Sequence, residues 1–565
     1  MKKIYLILSV LFISFGCGED FTTINPKGVL SDATMQNAGG VNLLLTSTYS
    51  ALDGIYQGAG DPWFSTGDNW WFDVLSDDAH KGSEDSDQAP LFDLETYNWT
   101  TANGYPLGKW RSLYAGANRA NAVINVAAPI ADTDADVAQA LAEAKFLRGF
   151  FYFELQKIWG NVAYVDETQY ASNEFNQPNT SPNKTVDVWD EIEADFTYAA
   201  ANLASSSSEP GRANSWTAKA FLGKVHLYQG DYALASTQLE DVIANGPYDL
   251  NTEYVDNFNS AGENSKESVF AIQFAADGGL SNNGNRGGTL NFQIGSDLGG
   301  FCCGFYQPSV DLASAFKTES GLPMLDDYHA TPITNDYGLA VEDAFTPHTG
   351  DLDPRIDYTM GRRGIMYNGF MAMAGASWVR AGAVDISGPF ISSKNHYRAD
   401  EDDNRGSGGW GEQRTGINYN VMRYADVLLM AAECDVEAIA PRLQAARTKV
   451  NLIRTRAAGS TLVDTAMTNY NIATYDAAWP DQAVARQAVR FERRLELAME
   501  GHRFFDLKRW DVLATTLNTY VTNEAKTITN FGEKANTFQS HMTDMFIPLN
   551  AIDLSTGILI QNPGY

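Results

Sequence analysis

Cysteine is nearly absent from this chain of 565 residues, which holds only Cys17, Cys302, Cys303 and Cys434. Four thiols, two of them adjacent, make neither a disulfide framework nor a zinc-ligand spacing, so the fold must rest on a hydrophobic core. Positive charge is scarce: 40 Lys and Arg face 70 Asp and Glu, for a formal net charge of −30. That balance repels nucleic acid and anionic membrane surfaces but leaves neutral ligands unpenalised. Long apolar runs are missing after the first sixteen residues, so nothing beyond them is able to cross a bilayer as a helix. Absent too are the GxSxG, HExxH and P-loop patterns. Asp132, Asp134 and Asp136 lack the glycine of an EF-hand and read as a helix start. No cofactor is called for; calcium in carboxylate loops is the one metal left open.

What is present is apolar mass. A hydrophobic content of 44% with 12% aromatic residues supplies a large core and excludes disorder as the main state. At the N-terminus, Lys2 and Lys3 precede the apolar run Ile4–Phe15 and then Gly16-Cys17. This is a secretory signal segment, residues 1–16, too short for a membrane span. Ser14-Phe15-Gly16-Cys17 resembles a lipobox, which implies that Cys17 carries lipid; an ordinary cleaved signal is the alternative. Residues 17–36 then read as a polar tether.

Helical periodicity covers Val41–Tyr56, Lys109–Ala128, Val137–Gly160, Val186–Leu203, Ala213–Gly230, Asp231–Ile243, Tyr419–Ile439 and Arg442–Ala457. Residues 484–510, VARQAVRFERRLELAMEGHRFFDLKRW, read as two amphipathic helices folded antiparallel at Gly501, with Arg and Glu residues forming ion pairs that fix the packing. Small residues alternate with Phe221, Val225 and Leu227 as in repeats that stack helix pairs, and His226 and Cys434 sit in core patterns. Periodicity fails over 58–107 and 250–415, apart from strand-like pieces such as Ser268–Phe274. The expected fold is therefore mainly α: an α-solenoid-like bundle of about four tetratricopeptide-like helix pairs with a large irregular insertion. Scaffold falls at 37–57, 108–250 and 416–520, within one domain spanning 37–565. The tail 521–565 ends in a segment, Met545–Tyr565, laid across the surface. Rigid helices holding long loops are a common way to build a recognition surface.

Five segments carry a resemblance. They are Asn25-Pro26, AEAKFLRGFFYFELQKIWG at 142–160, AKAFLGKVHLYQGDYALA at 218–235, RYADVLLMAAE at 423–433 and EGHRFFDLKRW at 500–510, with the ending Gln561-Asn562-Pro563-Gly564-Tyr565. In order and content they resemble the SusD/RagB family. The resemblance implies a lipid-anchored protein on the outer face of the outer membrane, touching the membrane only through Cys17. It implies a lid on a SusC-like TonB-dependent barrel that hands over polysaccharide or oligosaccharide without breaking a bond. It also implies a ligand face built from the loops at 58–107 and 250–415.

Sugars present apolar CH faces to aromatic rings and hydroxyl edges to carboxylates, amides, Arg and Lys. GDNWWFDVLSDDAHK at 67–81 offers Asn69, Trp70, Trp71, Asp77, Asp78 and Lys81, flanked by Trp63 and Trp99. In the insertion, GGFCCGFY offers Phe301, Phe305 and Tyr306 around Cys302-Cys303, a pair able to close a vicinal disulfide or to remain as buried thiols. Further on stand Arg362, Tyr367, Trp378 and Arg380. Glycoside hydrolysis needs two carboxylates set across a sugar, which Asp77/Asp78 and Asp85/Asp87 do not supply by adjacency. The reading is a non-catalytic binder of a neutral glycan, with a peptide-type nutrient or a glycoside hydrolase as alternatives.

Overall fold

The structure is a computed structural model. It describes residues 32–54, 67–173, 175–181, 184–185, 187–276, 285, 304–379, 386–394, 396–401, 404 and 415–565. Cys17, Trp63, Phe301, Cys302, Cys303, Arg380 and the signal segment lie outside these residues.

Helices dominate. The scaffold begins with α1 (Ala38–Tyr49), a short α2 (Trp70–Val74), α3 (Gly104–Ala127) and α4 (Ala135–Trp159). It continues through α5 (Trp189–Asn202), α6 (Ser215–Tyr228) and α7 (Tyr232–Asn245). After the insertion come α8 (Tyr424–Glu437), α9 (Leu443–Gly459), α10 (Gln482–Leu497), α11 (Arg503–Arg509) and α12 (Leu513–Glu524). Side-chain caps set several starts: Asn37 accepts from Gly40 N–H, Asp134 from Asp136 and Val137, Asn214 from Trp216 and Thr217, and Asp481 from Val484. Each satisfies amides that would otherwise be orphaned at a helix N-terminus. Asp134 is thus a helix start.

Consecutive helices stack: α3 on α4, α4 on α5, α5 on α6, α6 on α7, then α8 on α9 and on α10. This is the tetratricopeptide-like pattern expected from the periodicity. Gly116 permits one close approach, since a Cβ there would fall 2.4 Å from the Phe151 ring across the α3–α4 interface. Phe146 and Phe150 are core, as expected, and meet Phe221 and Phe270 edge to face at 5.1–5.9 Å between centroids. Helix α7 also packs on α8, so the chain between them is an excursion from an otherwise continuous stack.

A pair of strands marks where that excursion leaves and returns. Strand β1 (Ser268–Ile272) runs antiparallel to β2 (Tyr419–Arg423), with Tyr419 opposite Ile272 and Arg423 opposite Ser268. The expected helix from Tyr419 therefore starts later, at Tyr424. YNVMR is held extended because its backbone pairs with β1 and its Arg423 side chain enters a buried ion network.

Two further expectations are corrected. The run after Gly501 packs chiefly on α2 and α12 rather than back on α10, to which Arg493–Asp506 still ties it at 2.6 Å. And the tail is anchored, not merely laid on the surface. Met545, Phe546 and Ile547 are buried, Trp159 Nε1 donates to Phe546 O, and Asn562 Nδ2 donates to the carbonyls of Trp159 and Met545.

Candidate functional site

The twelve described residues offered for ligand contact are all buried. Asn69 donates to Glu154 at 3.0 Å, and Trp70 lies edge-on to Tyr105 and Tyr306. Trp71 is fully enclosed against Tyr105, and Trp99 packs on Tyr97 and Phe538. Lys81 donates to the carbonyls of Gly82 and Glu84 beneath Phe305, which is also buried. Tyr367 donates to Ser392 O and meets Trp378 edge-on at 5.7 Å. Arg362 is spent on Asp357. A ring or carboxylate without exposed surface cannot stack on or bind a sugar, so packing replaces ligand contact as the role of these residues.

Asp77 and Asp78 show why. Arg503 grips Asp77 with two bonds of 2.7 Å, while Arg494 reaches Asp77, Asp78 and Asp311 at 2.8–3.1 Å. Burial alone would raise the Asp77 carboxyl, but the two guanidiniums hold it at about 2. Burial pushes Asp311 up to about 6 against the pull of Arg494, and Asp78 is also raised by burial. The cluster is a lock between the loop at 67–81 and the stretch 491–510.

The turn after α10 is a second lock. Glu496 receives Arg423, Arg456 and Arg355, the last from the insertion and also paired with Asp353 and Glu492. Lys394, likewise from the insertion, donates to Ala498 O at 2.7 Å and pairs with Glu500 at 2.8 Å. Burial depresses its ammonium to about 8. Gly501 N–H donates to Asp73, as does Tyr306 O–H, so one carboxylate joins loop, insertion and turn. Gly501 sits at φ +77, where a Cβ would fall 2.8 Å from Asn69 Cβ and 3.1 Å from the Tyr419 hydroxyl. The Arg and Glu residues of this stretch are thus the packing network expected of them.

These locks bring the roots of the irregular segments together. Gly67 N–H donates to Asp53 O, Asn285 bridges Thr415, and Gly82 abuts Gly304 O. A two-lobed groove opens beside them. One lobe, of about 350 Å³, is lined by Thr46, Tyr49, Leu52, Asp53, Gln273 and Phe274. The other, of about 290 Å³, is lined by Arg212, Tyr248, Asn264 and Lys266 among others, and the two meet at Gly211 and Ala271. Gly211 has φ +79, and a Cβ there would fall 2.4 Å from Gln273 Cγ. Next to Asn264 in the chain, Glu263 accepts from Asn418 N–H while burial and Glu401 raise its carboxyl to about 7. No group of His, Cys, Asp and Glu positioned to hold a metal occurs among the described residues. The sequence reading missed this groove because its residues come from a helix end, a turn and a strand; only the strand-like Ser268–Phe274 hinted at it.

A family model described as "SusD family" matches residues 266–565, over half of the chain. This protein belongs to the SusD family. A second model, "Starch-binding associating with outer membrane", matches residues 32–227 of the SusD-family chain. A SusD-like protein of Bacteroides ovatus is 26% identical over 335 residues, 56% of this chain and 58% of that protein. SusD-like protein P25 of Formosa agariphila is 25% identical over 91% of this chain and 90% of its own. Among solved structures, a SusD-like carbohydrate-binding protein of Bacteroides fragilis superposes with a TM-score of 0.69 at 24% identity, covering 93% of this chain and 99% of that one. Surface glycan-binding protein A of Bacteroides thetaiotaomicron, solved with laminarihexaose, superposes at 0.64 and 20% identity over 93% and 99%. At these identities the superpositions speak to fold.

Proposed function

We propose that this SusD-family protein is a cell-surface lipoprotein that captures polysaccharide or oligosaccharide and passes it, uncleaved, to a SusC-like TonB-dependent outer-membrane transporter. The observation that carries the reading is the match of both halves of the scaffold to the family, one under a description naming starch binding at the outer membrane. Relatives of the same fold include one described as laminarin-binding and one solved with laminarihexaose. The chain's own physics agrees. A net charge of −30 favours neutral ligands. Of the two carboxylate pairs weighed for hydrolysis, Asp77 and Asp78 are consumed in ion pairs with Arg494 and Arg503, and Asp85 is paired with Lys534. No helix among the described residues is long and apolar enough to cross a membrane; the lipobox-like Ser14-Phe15-Gly16-Cys17 supports attachment through lipid on Cys17.

Native affinity electrophoresis against neutral and anionic polysaccharides tests the reading, with reducing-end release assayed in parallel. Retardation by a neutral glycan without release is expected. Release of reducing ends would overturn the non-catalytic role. Retardation by nothing in the panel would overturn glycan capture and turn attention to peptide ligands.

A further inference from the structure

We propose that the two-lobed groove at Gly211 and Ala271 is a binding site for a neutral oligosaccharide. Sugar rings lie on Phe274 and Tyr248, and hydroxyls meet Asn264. The proposal rests on the glycan-binding reading above and adds to it a place, a ligand class and the residues involved.

The rings come first. Phe274 and Tyr248 are partly buried rings packed against the main core, and one lines each lobe. Neither has an aromatic partner among the described residues, whereas the buried rings of the core meet one another edge to face. An unpartnered, partly exposed ring beside polar groups is what a sugar's CH face stacks on.

The amides come second. Asn264 and Gln273 exchange hydrogen bonds of 2.9 and 3.0 Å. Gln273 also accepts from Asn418 Nδ2 at 3.0 Å and donates to Ala271 O at 3.1 Å. That uses both its lone pairs and both its amide hydrogens. Asn264 keeps one hydrogen and one lone pair in this pairing, so Gln273 orients and Asn264 presents. Asn264 also sits at φ +52, a left-handed conformation that Asn tolerates better than most residues. The strain is maintained at an exposed position lining the groove.

Charge selects the class. Arg212 is paired with Glu143 at 3.2 Å and Glu209 at 2.9 Å and lies over the Tyr49 ring; Lys266 is paired with Asp249 at 3.0 Å. The cations lining the groove are thus already paired with carboxylates, which leaves an acidic sugar little to gain there. A peptide strand is disfavoured too. On the edge of β1 away from β2, the Val269 carbonyl is taken by Thr217 Oγ1 and the Ala271 carbonyl by Gln273. Little is left for a backbone ladder.

Isothermal titration calorimetry on the full chain in detergent decides the matter. The probes are laminarihexaose, maltohexaose, cellohexaose, xylohexaose and hexagalacturonic acid. At least one neutral hexasaccharide should bind, and Asn264→Gly and Phe274→Ala should each weaken it tenfold or more. Asn264→Gly relaxes the left-handed position, so loss of binding there is not loss of fold. Neutral binding that persists within twofold in both variants overturns the groove while leaving glycan capture standing elsewhere. Groove-dependent binding of hexagalacturonic acid alone overturns the neutral class. No binding of any neutral probe overturns the groove proposal and counts against the reading beneath it.

Discussion

Asp77→Asn separates a structural carboxylate from a ligand-binding one. Wild-type Asp77 is fully buried, takes two 2.7 Å bonds from Arg503 and faces Arg494 at 3.1 Å. Removing one partner of a buried ion pair costs about 3–5 kcal/mol, because the other charge stays desolvated. Two features place this case at the low end. Arg494 keeps Asp78 and Asp311, and the Arg503 side chain retains some contact with water. About 3 kcal/mol is therefore expected. With an unfolding entropy of about 2.1 cal/mol/K per residue, a chain of this size has roughly 1.2 kcal/mol/K, so Tm should fall by about 2.5 °C. Differential scanning calorimetry at pH 7 reads this directly.

The sign of the pH dependence adds a second check. Asp77 is held low, at about 2, so its contribution is present above the ordinary carboxylate range and disappears as pH falls through 2. Asp311 is held high, at about 6, so its burial costs stability as pH rises from the ordinary range through 6. Removing the Asp77 charge lowers the repulsion on Asp311. The variant should therefore lose less stability than wild type between pH 4 and 6. Glycan affinity of the folded variant should stay within twofold of wild type. Unchanged Tm with a tenfold loss of affinity would refute the argument, since the carboxylate would then face ligand.

His80 gives a pH prediction of opposite sign. Burial works against its charge, but hydrogen bonds to Glu524 and Glu95 at 2.8 and 2.7 Å raise it to about 9. Its contribution is complete below about 6.5 and lost as pH rises through 9, so His80→Gln should flatten the fall of Tm over that window. Gly501→Ala places a Cβ 2.8 Å from Asn69 Cβ at φ +77 and should lower Tm by at least one degree, with the near-ultraviolet signal of the tryptophans altered.

Much of the scaffold was legible because periodicity is a local property. Helices α3 to α7, α9 and α10 fall close to where apolar spacing puts them, and Gly501, expected to stop α10, has positive φ. The loop at 67–81 was not legible. Two tryptophans among aspartates look like a sugar platform when the partners are unknown. Those partners are Arg494 and Arg503, more than 400 positions away, and they turn a solvated motif into a buried one. Trp378 misled for the same reason, its ring resting against Tyr367 inside a small separate core. Composition does not say which side of a loop faces water. The groove escaped notice because its character comes from an amide pair, with Gln273 saturated and holding Asn264 in place, a pattern that only geometry reveals.

The pairing of β1 with β2 bears on how such chains diversify. A segment that departs at Ile272 and re-enters opposite it at Tyr419 leaves its two ends about 5 Å apart. The helical stack on either side is continuous without it, because α7 already touches α8. A new insertion is therefore grafted through a single doorway without re-threading any helix. Arg355 and Lys394 set the terms of exchange. Whatever replaces residues 273–418 must return two cations to Glu496 and the turn behind it, or leave the Ala498 carbonyl without its donor and Glu496 and Glu500 with Arg423 and Arg456 alone. Variation in the insertion is thus cheap in topology and constrained in charge.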